Sequence, residues 1–178
     1  IDKTKNEYVM EYADTSLFKY IKTHNQKLTF TERMNLGYQI IKGFEYLAKK
    51  DILHRDISPN NILIKEYDDV KIIKIADLGN VKLSNSMLTS LDTEIRGAFN
   101  DYSGLQRVGF SNYNFHFEGF ALSKLLYFVL TGRYKDFTKF EYSNLEEFIN
   151  KGTNPNLNQR FSDINELKRA FSKIKPPY

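Results

Sequence analysis

Residues 54 to 79 constrain this chain more than any other stretch. They begin with the polar run His54-Arg55-Asp56-Ile57-Ser58-Pro59-Asn60-Asn61 and pass into the apolar run Ile62-Leu63-Ile64. After a short polar stretch they reach Ile75-Ala76-Asp77-Leu78-Gly79. The β-branched stretches from Ile62 to Lys65 and from Lys71 to Ala76, around Tyr67-Asp68-Asp69, predict two strands of a hairpin. Pro59 cannot continue a helix, so the residues before the hairpin form a loop. A hairpin brings the chain back to where it started. Asn61 at the entry and Asp77 at the exit therefore share one end, with Asp56 in the loop just before.

The first run matches the H-R-D-x-x-x-x-N catalytic loop of protein kinases, and Asp77-Leu78-Gly79 resembles their D-F-G motif with Leu for Phe. Either string alone reads as turn chemistry. Together, in this order and one hairpin apart, they resemble the eukaryotic-type protein kinase family, specifically the C-terminal lobe of its catalytic domain. The resemblance implies a mainly α fold with a small β-hairpin, an α+β protein-kinase-like C-lobe with the N-lobe absent. Residues 1–14 correspond to the last N-lobe strand and hinge, and 15–178 to the C-lobe. The catalytic loop falls at 54–61, the Asp-Leu-Gly motif at 77–79 and the activation segment at about 77–109.

The implied activity is transfer of the ATP γ-phosphate to a protein Ser/Thr hydroxyl. Asp56 would orient the hydroxyl, while Asn61 and Asp77 would hold Mg²⁺. Oxygen ligands suit Mg²⁺, a hard ion that keeps water and shares phosphate oxygens. Arg55 stands where related kinases pair with a phosphorylated activation segment, a surface ion pair being the alternative. His54 is expected to pack in the core. Upstream, Glu7 to Ala13 reads as a short strand. By resemblance the carbonyl of Glu11 and the backbone of Ala13 bind the adenine edge, Met10 is the gatekeeper, and Asp14 or Ser16 stands nearest the ribose. Leu63 lies beneath adenine or simply in the core.

The resemblance continues downstream. Glu118 stands where an acidic residue anchors the catalytic loop, so it should accept hydrogen bonds from amides near His54 and Arg55. Arg160 stands where kinases pair an arginine with a glutamate, but here the partner position is Gln106, so other acceptors are expected. Ser58 replaces a phosphate-binding lysine, and Ala98 lacks a hydroxyl that helps orient the catalytic Asp. Thr89, Ser90 and Thr93 are candidate phosphorylation sites.

Helical spacing predicts helices over Ser16–His24, from the Thr29/Glu32 capping box to about Lys49, over His116–Leu130, and over Leu145–Lys151. A last helix is predicted after a Ser162 cap, carrying Ile164, Leu167, Phe171 and Ile174. Residues 80–109 are polar and aperiodic. With 41% hydrophobic and 27% charged residues, the composition is that of a globular domain. The net charge of +4 suits an anionic ligand without demanding nucleic acid. Without cysteine, disulfides and thiolate chemistry are excluded. The longest apolar run, Phe117 to Leu130, is broken by Glu118 and Lys124 and is too short to span a bilayer.

No Gly-rich loop or strand lysine precedes the hinge. The expectation is a piece of a longer kinase whose N-lobe acts in cis, or else a lone C-lobe, in either case inactive or nearly so by itself. The alternative is a pseudokinase scaffold or nucleotide-binding regulatory module. A small-molecule kinase of the aminoglycoside type shares the H-x-D loop, but Arg55, Asp77-Leu78-Gly79 and Arg160 argue against it. The expected partners are a protein substrate and, through the strand edge at Tyr8–Tyr12, a second copy at the lobe interface. The expected location is cytoplasmic.

Overall fold

The computed structural model describes residues 11–68, 70–83 and 97–176. Met10, Thr89, Ser90 and Thr93, and most of the predicted first strand, lie outside the described residues.

The fold is built around one helix, numbered α4 below (Phe115–Thr131), in which 14 of 17 residues are buried. A helix that is apolar on every side belongs in a core, not at a surface. Asn114 caps its first turn by accepting from the His116 amide at 2.9 Å. Gly132 ends it at φ +71°, the left-handed conformation glycine adopts without strain. The hydroxyls of Ser123 and Thr131, inside the apolar environment, donate to the carbonyls one turn back.

The chain begins with β1 (Thr15–Ser16), α1 (Leu17–His24) and α2 (Phe30–Ala48). The Thr29/Glu32 capping box opens α2 as the sequence predicts, and α2 then packs on α4. Arg33 fastens this junction. Its guanidinium donates to the carbonyls of Val129 (2.8 Å) and Asn25, closing the C-terminal ends of α4 and α1.

After β2 (Ile52–Leu53) come β3 (Ile62–Tyr67) and β4 (Val70–Ile75), the predicted hairpin with its first strand two residues longer than expected and its second shifted back by one. The hairpin is not alone: β1 pairs with β3, giving an antiparallel sheet in the order β1-β3-β4. The outer edge of β4 is met by a side chain in place of a strand. Gln39 donates to Lys71 O (3.0 Å) and accepts from Ile73 N–H (3.1 Å).

The stretch read as aperiodic contains structure. β5 (Lys82–Leu83) pairs with β2, and α3 spans Tyr102–Val108. Then come α4, α5 (Leu145–Gly152) and α6 (Ile164–Phe171). The cap of α6 is Asp163, not Ser162: its carboxylate accepts from Glu166 N–H at 2.8 Å. The helix ends at Phe171, and Ile174 is buried beyond it.

Candidate active site

The loop from His54 to Asn61 is held from several sides. Glu118, only 2% exposed, accepts from the amides of His54 (2.8 Å) and Arg55 (3.3 Å), as expected from its position. Tyr113 donates its hydroxyl to the same carboxylate at 2.8 Å. Burial pushes the Glu118 carboxyl above its ordinary value, opposed by these hydrogen bonds. Burial and the adjacent Glu118 carboxylate push the Tyr113 phenol well up, which keeps it a donor. His54 is a fully buried core residue, as expected: its Nε2 meets Ala76 O at 2.9 Å, and its Nδ1 accepts from the Asp56 amide at 3.3 Å. This pair of contacts fixes the neutral tautomer with the proton on Nε2.

Asn61 closes the loop. Its amide nitrogen donates to Ser58 O (3.1 Å), and its side chain donates to Asp56 O (2.8 Å). Phe18 N–H donates to Pro59 O at 3.0 Å and ties the loop to α1. The first pair of the hairpin is Ile62 with Ile75, and Ala76 N–H then reaches Asn61 O at 2.8 Å. Asp77 follows at φ +59°, a left-handed position that Asp tolerates better than most residues. Thus Asn61 and Asp77 occupy the same end of one hairpin, and Asn61 grips the backbone of Asp56.

Beside Asp77 lies a cleft of about 740 Å³, lined by Glu11, Ala13, Leu63, Ala76, Asp77 and Gly79 among others. Three expected adenine-side residues, Glu11, Ala13 and Leu63, therefore share one cleft with Asp77. The Glu11 side chain pairs with Lys74 at 3.1 Å. Neither ribose candidate has an unengaged side chain: Asp14 accepts from Glu66 N–H (2.8 Å) and pairs with Lys65 (3.3 Å). The Glu66 amide is the main reason the Asp14 carboxyl titrates below its usual value. Ser16 caps α1 by accepting from Lys19 N–H. Tyr12 and Leu78 are exposed, at 71% and 46%.

Arg55 is buried, at 7% exposure. At φ +66°, its guanidinium stacks on Phe110 (4.8 Å) and donates to Val81 O (3.4 Å), facing the segment that follows Asp77. Arg160 finds Asp101 at 2.6 Å and Asn154 O at 2.6 Å, not Gln106. Asp101 also caps α3 through the Gly104 amide. Its carboxyl is lowered by the Arg160 hydrogen bond and that amide, against the opposing effect of burial.

Sequence reasoning missed Tyr113, Asn100 and Asp101. Asp101 stands before a short helix as an N-cap would, which was a usable signal. Asn100 and Tyr113 carry none.

The donor set fits Mg²⁺ shared with a phosphate ligand. Among the described residues no group of three or more His, Cys, Asp or Glu side chains could hold a metal unaided. Asn61 and Asp77 supply two oxygens and one charge. The bond from Asn61 Nδ2 to Asp56 turns the nitrogen toward the protein, leaving the oxygen as the end that meets a cation. Such a set binds Mg²⁺ well only when phosphate oxygens and water complete the shell.

The loop, the hairpin end and the cleft thus adjoin one another. The family model for the protein kinase domain matches residues 1–171, and the chain belongs to that family. A serine/threonine-protein kinase of Dictyostelium discoideum is 29% identical over 177 residues, 99% of this chain and 23% of its own length. A probable serine/threonine-protein kinase of Clostridium acetobutylicum is 32% identical over 108 residues, 61% of this chain and 16% of its own. The chain thus spans less than a quarter of either relative. No helix among the described residues is long and apolar enough to cross a membrane.

Proposed function

We propose that this chain supplies the catalytic-loop and metal-binding half of a protein kinase that transfers the ATP γ-phosphate to a Ser/Thr hydroxyl on a protein. The observation that supports this most is the placing of Asn61 and Asp77 at one hairpin end, with Asn61 on the Asp56 carbonyl and Asp77 in the lining of the cleft. In this reading Asp56 accepts a hydrogen bond from the acceptor hydroxyl and takes its proton as the oxygen attacks. Bound Mg²⁺ would neutralise charge on the phosphates, held by Asp77 and Asn61. Leu63 and the backbone of Glu11 and Ala13 would seat the adenine. Arg55, buried and donating to Val81 O, would pair with a phosphate on the segment after Asp77.

Exposed Tyr12 and Leu78 beside the cleft support an N-lobe in cis, or a second copy, as the cover of this face. Positioning and charge neutralisation supply most of the catalysis of phosphoryl transfer, so without such a cover transfer is slow.

A pseudokinase scaffold is the second reading, favoured by Ser58 in place of a lysine and by Ala98. Radiolabel transfer from γ-labelled ATP to a Ser/Thr peptide library, with and without Asp56→Ala, decides. Transfer abolished by the substitution upholds the enzyme. Transfer that survives it, or Mg-ATP binding with no transfer by the unaltered full-length protein, overturns it.

A further inference from the structure

We infer that Asn100 is the positioning residue that fixes the aim of Asp56, acting through the Arg55–Asp56 peptide. The role of Asp56 rests on the kinase reading above; the way Asp56 is held does not.

Arg55 sits at φ +66°, a conformation that L-residues avoid, so the peptides beside it need restraint. Glu118 holds the amides of His54 and Arg55. The next peptide, joining Arg55 to Asp56, is gripped at both ends. Its N–H donates to His54 Nδ1 at 3.3 Å, and its carbonyl accepts from Asn100 Nδ2 at 2.7 Å. Asn61 then holds the Asp56 carbonyl. Asn100 reaches this place from 45 residues further on, and at 4% exposure it is sealed from water. Its hydrogen bond therefore has no solvent competitor.

The turn that delivers Asn100 lies directly on Asp56. Gly97, at φ +91°, has no room for a side chain: a Cβ there would stand 3.1 Å from Asp56 Cα and 3.2 Å from its Oδ1. It would also press on Asn100 Nδ2 at 2.9 Å. Tyr102 pins the start of the turn by donating to Gly97 O at 3.2 Å. At the far side Tyr113, which donates to Glu118, lies 3.4 Å from Asn100 Oδ1, so the turn and the Glu118 anchor form one network. Ala98, within the turn, offers no polar side-chain atom. Asn100 thus supplies a polar link from the described turn to the peptide before Asp56.

The test compares Asn100→Ala and the near-isosteric Asn100→Leu with the unaltered protein, and uses exposed Asn112→Ala as a control. Leu keeps the volume and removes the donor, so a folded protein is obtained even where alanine leaves a cavity. Two quantities are read: steady-state kcat and KM for Mg-ATP in the full-length protein, and the NMR order parameter of the Asp56 amide. Both variants should lose about 10- to 100-fold in kcat, with KM for Mg-ATP within about twofold, as small misplacements of a reacting group do. The Asp56 amide should fall from the rigid value of about 0.85. Unchanged kcat with an unchanged amide overturns the proposal, as does a kcat loss matched by KM while the amide stays rigid. If the unaltered full-length protein transfers no phosphate, the kinase reading fails. The amide then decides alone: rigid in both variants refutes the role of Asn100, and loosened upholds it.

Discussion

Removing the carboxylate of Glu118 should unfold the catalytic loop before any other part of the molecule. The perturbation is Glu118→Ala, with Glu118→Gln as the conservative partner. Glu118 is 2% exposed and accepts three hydrogen bonds, from His54 N–H, Arg55 N–H and Tyr113 Oη. Alanine leaves the two amides without an acceptor, at about 1–3 kcal/mol each. Tyr113 keeps a partner in Asn100 Oδ1 at 3.4 Å, so its loss is smaller. Loss of the buried charge returns part of its burial cost, since Glu118 titrates above its ordinary value chiefly through burial. The net expectation is about 3–5 kcal/mol for Glu118→Ala, a large part of the roughly 5–15 kcal/mol that holds a domain folded. Glutamine keeps one acceptor oxygen but sets an NH₂ against an amide donor, for about 1–3 kcal/mol. Urea denaturation read by circular dichroism gives both values, and each kcal/mol should lower Tm by about 2–4 °C. A midpoint for Glu118→Ala within 1 kcal/mol of the unaltered protein at constant m, on the order of its error, would refute the anchor.

The Arg160–Asp101 pair, with side chains 2% and 11% exposed, should behave as a buried ion pair. Arg160→Met or Asp101→Asn alone should cost about 3–5 kcal/mol, and the double variant clearly less than the sum, read by a urea double-mutant cycle. Strict additivity would show that the two do not interact. Acid stability should be governed by Glu166, whose carboxyl is lowered to about 2 by Lys151 and the Ser162 amide. A lowered folded value contributes stability above the ordinary carboxylate range, lost as pH falls from about 4.5 toward 2. Glu166→Gln should flatten that part of the urea-midpoint profile, and an unchanged acid slope would contradict this. Glu118 has the opposite sign: its folded value is raised, so its stabilisation is complete below about 4.5 and is lost as pH rises through the folded value. Glu118→Gln should remove that decline from the profile above about pH 4.5, and a decline that persists would assign it to another group.

Much of the site was legible because the residues that carry its chemistry also dictate the local backbone. Pro59 forced a loop, the β-branched residues on either side of Asp68 forced a hairpin, and the hairpin placed Asn61 opposite Asp77. Glu118 was legible through the family resemblance, which sets an acidic residue at that place, and a buried carboxylate there must find donors. The Thr29/Glu32 box marked a helix start through capping chemistry alone. What escaped was short or distant. α3 has seven residues, too few for a period to show, and β1 has two. Asp101 and Arg160 meet across 59 residues, and Asn100 and Arg55 across 45, separations that no local pattern encodes. The misplaced cap of α6 is different, because the signal was present. Glu166 stands three residues after Asp163, the spacing of a capping box, which favours Asp163 over Ser162.

The account stands on Asp56, Asn61 and Asp77 serving one metal-nucleotide site, and calorimetric titration of ATP with and without Mg²⁺ tests it most directly. The unaltered protein should bind ATP at least about tenfold more tightly with Mg²⁺, a gain of about 1.4 kcal/mol. Asp77→Ala should erase that gain, Asn61→Ala should reduce it, and Asp56→Ala should leave it intact. Affinity that ignores Mg²⁺, or Asp77→Ala binding Mg-ATP as the unaltered protein does, would contradict the account.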